Sequence, residues 1–154
     1  MKFNLKRFLL ILIITFVVGS FFSFLTMNNM ETYLELAKPV NVPKIVFPIV
    51  WTILFILMSI SCYIVSNSKS KEKDNAIIIY AVQLVINSIW SLLFFGFDLY
   101  LISALWIVLL MIFVIVMIVK FYKINKLSAY LQIPYVIWLI FALYLNIGIY
   151  MLNR

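Results

Sequence analysis

Five apolar runs, each 20 to 22 residues long, account for most of this chain of 154 residues. A helix rises 1.5 Å per residue, so about 20 residues cross a hydrocarbon core of about 30 Å. The runs predict membrane-spanning helices over residues 8–27, 45–65, 76–97, 99–119 and 131–152. Together with the mean hydropathy of +1.19, they predict an all-α integral membrane protein in which residues 1–154 form one five-transmembrane-helix bundle.

Basic residues are distributed unevenly between the two ends of the predicted bundle. One side carries nine of them: Lys2, Lys6, Arg7, Lys69, Lys71, Lys73, Lys120, Lys123 and Lys126. The other side carries three: Lys38, Lys44 and Arg154. Cytoplasmic loops are enriched in Lys and Arg, so we expect a cytoplasmic N-terminus, an external loop over residues 28–44 and an external C-terminus, in a bacterial cytoplasmic membrane. The positions of the basic residues thus explain the net positive charge as a signal for orientation in the lipid bilayer, and no nucleic-acid partner is expected.

The basic N-terminus followed by an apolar run also resembles a signal peptide. The first run is longer than the apolar region of a signal peptide, and no small-residue cleavage motif follows it. A retained membrane helix is therefore the preferred interpretation.

The spans lack the residue types that most membrane catalysts and ion carriers use. No Lys, Arg, Asp, Glu or His lies deep in any predicted span, and the chain contains no histidine. Intramembrane charges serve proton relays, voltage sensors and ion coupling. Cys62 is the single cysteine and has no internal disulfide partner. We therefore expect no metal site, no tightly bound cofactor and no hydrolytic or acid–base catalysis.

Three spans carry aromatic and amide side chains at helical spacing. The residues are Phe47, Trp51, Phe55, Met58 and Cys62 in the second span, Gln83, Asn87, Trp90 and Phe94 in the third, and Tyr135, Trp138, Ala142, Leu145, Asn146 and Ile149 in the fifth. Such spacing places residues on one helix face, and lipid offers an amide no partner, so these faces point into the bundle. Two interpretations stay open: interhelical packing with amide hydrogen bonds, or an aromatic-walled pocket for a flat apolar ligand.

Motifs in the loop and in these spans point to a known family. They are Tyr33-x2-Leu36-x-Lys38-Pro39, Pro43, Phe47-Pro-Ile-Val-Trp51, Gln83-x3-Asn87-x2-Trp90-Ser91-x2-Phe94-Phe95 and Pro134-Tyr135-x2-Trp138-x3-Ala142-x2-Leu145-Asn146. In this order, over about residues 31–153, the chain resembles the TspO/MBR family of tryptophan-rich sensory proteins and translocator proteins. The resemblance implies a five-helix bundle that binds tetrapyrroles such as protoporphyrin IX, and in some members cholesterol or synthetic aromatic ligands.

The resemblance and the helical stripes together give a candidate ligand-binding set. It comprises Tyr33, Lys38, Pro39, Pro43, Phe47, Trp51, Phe55, Asn87, Trp90, Phe94, Trp138, Ala142, Leu145 and Asn146. Residues 33–43 are expected to cover the site as a lid with a short helix near residues 31–36, and Lys38 or Lys44 to meet a ligand carboxylate. Some bacterial family members have been linked to light- and oxygen-dependent porphyrin breakdown, in which tryptophans like Trp51 and Trp138 take part. The resemblance therefore implies a catalytic role for Trp51 and Trp138 only if that reaction occurs in this protein.

The chain departs from the family pattern in its lid and carries one further loose motif. Thr32 and Asn41 stand where the family usually has tryptophan, and Lys44 stands where it has the second proline of a pair. At the C-terminus, the run Leu145-x4-Tyr150-x3-Arg154 fits a sterol-recognition pattern that many membrane helix ends match by chance.

The preferred functional hypothesis is a membrane protein that binds protoporphyrin-type tetrapyrroles and has a sensory or regulatory role in porphyrin and oxidative stress handling. The alternatives are a transporter of porphyrin or other small apolar ligands, a light-dependent porphyrin-degrading enzyme, and a structural partner of another membrane complex. The lack of an inverted repeat and of midplane charges argues against a transporter. The sequence leaves open whether the protein forms a homodimer.

Overall fold

The computed structural model describes residues 2–154, and five long helices dominate that range. The α-helices in chain order are α1 (Leu5–Leu25), α2 (Met30–Glu35), α3 (Val46–Ser66), α4 (Lys73–Ser91), α5 (Tyr100–Ile124), α6 (Lys126–Tyr130) and α7 (Ile133–Asn153). The helices α1, α3, α4, α5 and α7 are long and apolar enough to cross a membrane, either alone or with the short segments that adjoin them. The prediction of an all-α five-helix membrane bundle is confirmed.

Several helices are longer than the apolar runs because their first or last turns include polar residues. The helix α1 begins at Leu5, before the predicted start at residue 8, since the Asn4 side chain accepts a hydrogen bond from the Arg7 amide at 3.1 Å. At its other end α1 stops at Leu25, two residues before the predicted end at residue 27, and a 3₁₀ turn over Met27–Asn29 follows it. The apolar pattern marks the part of a helix in hydrocarbon, whereas capping determines where the helix ends.

The order of neighbours around the bundle is α1, α4, α5, α7 and α3. The helix α4 packs against α1 and α5, α5 packs against α7, and α1 packs against α3. Rings of Trp51 on α3 and Trp138 on α7, with centroids 6.5 Å apart, close the circle. The tight turn predicted at Phe97 and Asp98 is present, with Asp98 in the left-handed region at φ 54°. It makes α4 and α5 antiparallel neighbours.

Side-chain hydrogen bonds join α4 to α5 and to α7. The Tyr135 hydroxyl on α7 donates to Gln83 Oε1 on α4 at 2.8 Å. The indole of Trp106 on α5 donates to the Ile86 carbonyl of α4 at 2.8 Å. Since the membrane interior supplies no water, such pairs satisfy the groups and tie the helices together. Burial of Gln83 confirms that the polar stripe on α4 faces inward.

The two ends of the bundle differ in charge. At one end, here the basic end, α1 and α3 are joined by a hydrogen bond from the Asn4 amide to the Tyr63 hydroxyl at 2.8 Å and by one from Arg7 to Asn67 at 3.0 Å. The nine basic residues counted from the sequence lie in segments at this end. The opposite end, here the lid end, carries residues 28–44, the turn between α4 and α5, and the C-terminus.

The charge difference between the ends predicts a lid end outside the cell. Single cysteines placed at Glu72 and at Asn41, both exposed, in a Cys62→Ser background report the orientation in intact cells. We expect an impermeant thiol reagent to label the cysteine at position 41 and to leave that at position 72 unlabelled until the membrane is opened. The reverse labelling pattern would show that the bundle has the opposite orientation.

Candidate ligand-binding site

An aromatic pocket, here the inner pocket, lies near the lid end between α3, α4, α5 and α7. Trp51 and Trp138 form an edge-to-face pair at an interplanar angle of 87°. The Trp51 ring also lies 6.1 Å from that of Tyr135, and the Trp138 ring lies 6.0 Å from that of Phe47. Aromatic pairs of this kind form rigid walls with apolar faces.

Asn146 joins three helices at the edge of the inner pocket. Its Oδ1 accepts hydrogen bonds from Trp90 Nε1 at 3.1 Å and from Ser103 Oγ at 3.0 Å. Its Nδ2 donates to the Tyr100 carbonyl at 2.7 Å. Both acceptor positions of the amide oxygen are therefore occupied by α4 and α5. Asn146 therefore borders the pocket, but its amide oxygen is used in hydrogen bonds between helices and is not available to a ligand.

Asn87 has the opposite hydrogen-bonding status. Its side chain is buried on α4 and borders free space on both sides, and within residues 2–154 it makes no hydrogen bond. Because its amide group borders free space, its donors and its acceptor stay available to whatever enters that space. The expectation that an amide of the inward stripe finds a protein partner holds for Gln83 and is wrong for Asn87. The Asn87 amide is thus free to bind a ligand.

Two further polar groups around the inner pocket lack protein partners. Across the described residues, neither Trp138 Nε1 nor the Tyr33 hydroxyl forms a hydrogen bond, and both atoms are buried. Burial raises the pKa of Tyr33 above its ordinary value, so the hydroxyl stays protonated at neutral pH and can donate. Aromatic walls with a few convergent polar atoms are typical of a small-molecule site.

Most of the free volume lies beside the inner pocket. The inner pocket itself holds about 30 Å³, which is room for a water molecule. A neighbouring cavity of about 520 Å³, here the side chamber, lies between α1, α3 and α4. Five residues border both spaces: Phe47, Trp51, Asn87, Trp90 and Phe95. The side chamber has the size of a cofactor or drug site, and the indoles of Trp51 and Trp90 form part of its wall.

The structure brings most of the predicted site residues together. Ten of them border the inner pocket: Tyr33, Phe47, Trp51, Asn87, Trp90, Phe94, Trp138, Ala142, Leu145 and Asn146. Phe55 borders the side chamber instead. The lid residues Lys38, Pro39 and Pro43 border neither space.

Sequence reasoning missed the wall that α1 contributes. The side chamber is lined on this helix by Phe16, Gly19, Ser20 and Ser23. Because α1 is apolar on every face, its pattern indicates no inward side. The available signal was the group of small residues, which are common where membrane helices approach closely.

The lid is fastened to the end of α7. The Asn153 side chain accepts from the Ala37 amide at 3.0 Å and donates to the Ala37 carbonyl at 2.8 Å. Pro39 lies directly against Gly148, where a Cβ atom would collide with the proline ring. At the other side of the lid, Asn29 Nδ2 donates to the Phe95 carbonyl. The short lid helix expected near residues 31–36 is confirmed as α2 (Met30–Glu35).

The two lid lysines have different environments. Lys38 Nζ donates to the Leu34 carbonyl at 3.0 Å and to the Leu36 carbonyl at 2.8 Å, and it lies 4.9 Å from the centre of the Tyr33 ring. These contacts hold the ammonium group within the lid. Lys44 is exposed, borders the side chamber and has no hydrogen bond or ion pair with any residue from 2 to 154. Of the two, Lys44 is the cation placed to meet a ligand.

The contact between Pro39 and Gly148 predicts how the lid opens. We expect Gly148→Ala to displace Pro39 and to speed hydrogen exchange of the Ala37 amide about tenfold, equivalent to about 1.4 kcal/mol of local stability. Ile147→Ala, at an exposed neighbouring position of α7, is the control and should leave exchange unchanged. Equal exchange rates in Gly148→Ala and in the unmodified protein would mean that this contact does not hold the lid.

The fold and this site define an integral membrane bundle of five helices with an aromatic pocket beneath a loop lid. The sequence profile of the TspO/MBR family matches residues 10–152. The chain is 40% identical over 124 residues to the tryptophan-rich protein TspO of Chlorobaculum tepidum, covering 79% of this chain and 78% of that protein. It is 33% identical over 152 residues to the tryptophan-rich protein TspO of Archaeoglobus fulgidus, covering 97% and 99%. The chain belongs to the TspO/MBR family.

Proposed function

We propose that the protein binds protoporphyrin-type tetrapyrroles in the membrane and has a sensory or regulatory role in porphyrin and oxidative stress handling. The observation that carries the proposal is the wall shared by the two spaces, in which the indoles of Trp51 and Trp90 flank the unpartnered amide of Asn87. It adjoins about 520 Å³ of free volume. A family member of the same kind, at 35% identity, is the tryptophan-rich sensory protein of Cereibacter sphaeroides.

The chemistry of the wall suits a flat apolar ring system with polar atoms at its centre and acid groups at its edge. Indole faces stack on a macrocycle, and the Asn87 amide can hydrogen-bond to one. Lys44, without a partner among residues 2–154, offers a charge-assisted contact to a carboxylate. The chain has no histidine, the commonest axial ligand of haem iron in globins and peroxidases, so we expect metal-free porphyrin to be preferred.

Titration of the purified protein with protoporphyrin IX, followed by the porphyrin absorbance band, tests the proposal. We expect saturable binding that weakens about three- to tenfold in Trp51→Phe and in Trp138→Phe. Trp51 borders the side chamber and loses part of its contact with the ligand, whereas Trp138 borders only the inner pocket and acts through its edge-to-face contact with Trp51. Trp106→Phe is the control, since the Trp106 indole donates to the Ile86 carbonyl and borders neither the inner pocket nor the side chamber.

Two results of that titration would count against the proposal. Absence of saturable binding would remove tetrapyrroles as the ligand. Equal weakening in all three tryptophan variants would indicate general packing, and would favour a structural role for the bundle.

The paired indoles of Trp51 and Trp138 favour a second candidate function, light-dependent porphyrin breakdown. Their ring centroids are 6.5 Å apart at the inner pocket, and indole is the most readily oxidised side chain there. Loss of porphyrin absorbance under illumination, compared with darkness and with the Trp51→Phe, Trp138→Phe double variant, tests this candidate. Loss that requires light and both indoles supports it, and an unchanged rate in the double variant excludes these residues. Transport stays a separate prediction, which flux across sealed vesicles would test.

A further inference from the structure

The helices α1 and α3 touch near the middle of the bundle. The rings of Phe16 and Phe55 lie 5.3 Å apart. A Cβ atom at Gly19 would lie 2.7 Å from the Phe55 ring, so the two helices meet here with no space between them. The Asn4 amide donates to the Tyr63 hydroxyl further down. The contact at Gly19 and Phe55 forms the floor of the side chamber.

Above this floor the side chamber opens between the two helices. Ser23 on α1 borders the chamber and is exposed, as are Pro48 and Thr52 on α3. All three residues lie within membrane-spanning helices. A cavity whose wall residues are exposed on two spanning helices has its mouth towards the lipid. Met27, Lys44 and Ile45 are also exposed and border the chamber just beyond the ends of α1 and α3. The opening therefore extends from the leaflet at the lid end to the level of the lipid headgroups.

The direct path from water through the lid is covered. The lid is held to α7 by the paired hydrogen bonds between Asn153 and Ala37 and by the contact of Pro39 with Gly148. Tyr33 fills the space beneath it and is only 3% exposed. A ligand that passed through the lid would have to break these contacts, whereas a ligand in the leaflet meets an open mouth.

The rim of the side chamber carries an unpaired positive charge. Lys44 lies just before α3 at the lid end, and among residues 2–154 no acidic side chain borders the chamber. The rest of the lining is largely apolar, with hydroxyl groups of Ser20, Ser23, Thr52 and Ser91. This combination fits an apolar molecule that carries an acid group at the depth of the lipid headgroups.

We propose that the side chamber is the route by which the ligand reaches the indoles, and that it admits membrane-dissolved apolar acids between α1 and α3, with Lys44 binding the acid group. The proposal rests on the proposed function for the identity of the natural ligand, since a protoporphyrin carries two propionates. The chamber, its lateral mouth and its cation are features of this chain that do not depend on that identity.

Association kinetics test the route. Protein in lipid nanodiscs is mixed with vesicles that contain protoporphyrin IX, and the association rate is measured. Ser23→Phe and Thr52→Phe narrow the mouth and should slow association about tenfold. Val17→Phe and Ile49→Phe add the same ring at exposed positions of the same helices that do not border the chamber, and should leave the rate unchanged. The lid variant Asn153→Ala should also leave it unchanged.

The opposite kinetic pattern would overturn the lateral route. If Asn153→Ala speeds association while Ser23→Phe and Thr52→Phe have no effect, the ligand passes through the lid. Slowing by the control variants as much as by the mouth variants would also contradict the route, because it would reflect a general change in the bundle.

A second measurement keeps the inference separate from porphyrin binding. Dibromostearic acid quenches tryptophan fluorescence on contact, and we expect it to quench more than its methyl ester because Lys44 binds the carboxylate. Lys44→Gln should abolish the difference, whereas Arg154→Gln, which removes another exposed cation of the lid end, should preserve it. Equal quenching by acid and ester in the unmodified protein would refute the chamber as an acid site. Stronger quenching by the acid than by the ester, in a protein that does not bind protoporphyrin, would support the side chamber as a site for apolar acids and refute only the proposed tetrapyrrole ligand.

Discussion

The side chain of Asn146 holds three membrane helices at the depth of the candidate site. It accepts from Trp90 and Ser103 and donates to the Tyr100 carbonyl, so that α4, α5 and α7 share one amide. A bilayer supplies no competing water, and interhelical hydrogen bonds of this kind contribute about 0.6 kcal/mol on average in measured cases. Besides this contribution to stability, the hydrogen bonds determine the orientation of a side chain at the site. The Trp90 indole is fixed by its N–H group, and its ring is thereby oriented at the boundary between the inner pocket and the side chamber.

In contrast to Asn146, several polar atoms around the inner pocket have no hydrogen-bond partner in the protein. The Asn87 amide borders free space at the inner pocket and makes no hydrogen bond within residues 2–154. Beside it, Trp138 Nε1 and the Tyr33 hydroxyl are buried without a hydrogen bond. Each such atom costs stability in the empty protein. Gln132, buried at the start of α7, also has an unpaired amide but borders neither free space, so unpaired atoms alone do not mark a binding site. At the inner pocket they lie next to aromatic walls and free volume, and this combination favours a ligand as their partner.

The fold and most residues of the inner pocket could be predicted from the sequence, because amides and tryptophans indicate the inward face of a membrane helix. The stripes on α3, α4 and α7 carry this signal, and the residues from Trp51 to Asn146 that it selected do converge. It did not separate the roles of two asparagines, since hydrogen-bond partners such as Ser103 come from another helix. It also did not find the side chamber. The uniform apolar surface of α1 hides which face is inward, and a cavity depends on the angle between helices, which no local pattern encodes.

A structure of the protein in lipid with protoporphyrin IX would show where the ligand binds. We expect density for the macrocycle in the side chamber, stacked against the indoles of Trp51 and Trp90, with a propionate at hydrogen-bond distance from Lys44. The Asn87 amide should contact the ligand, and the Asn146 hydrogen bonds should be unchanged. Density for the macrocycle on the lipid-facing surface of the bundle, with the side chamber empty, would show that the chamber is not the binding site.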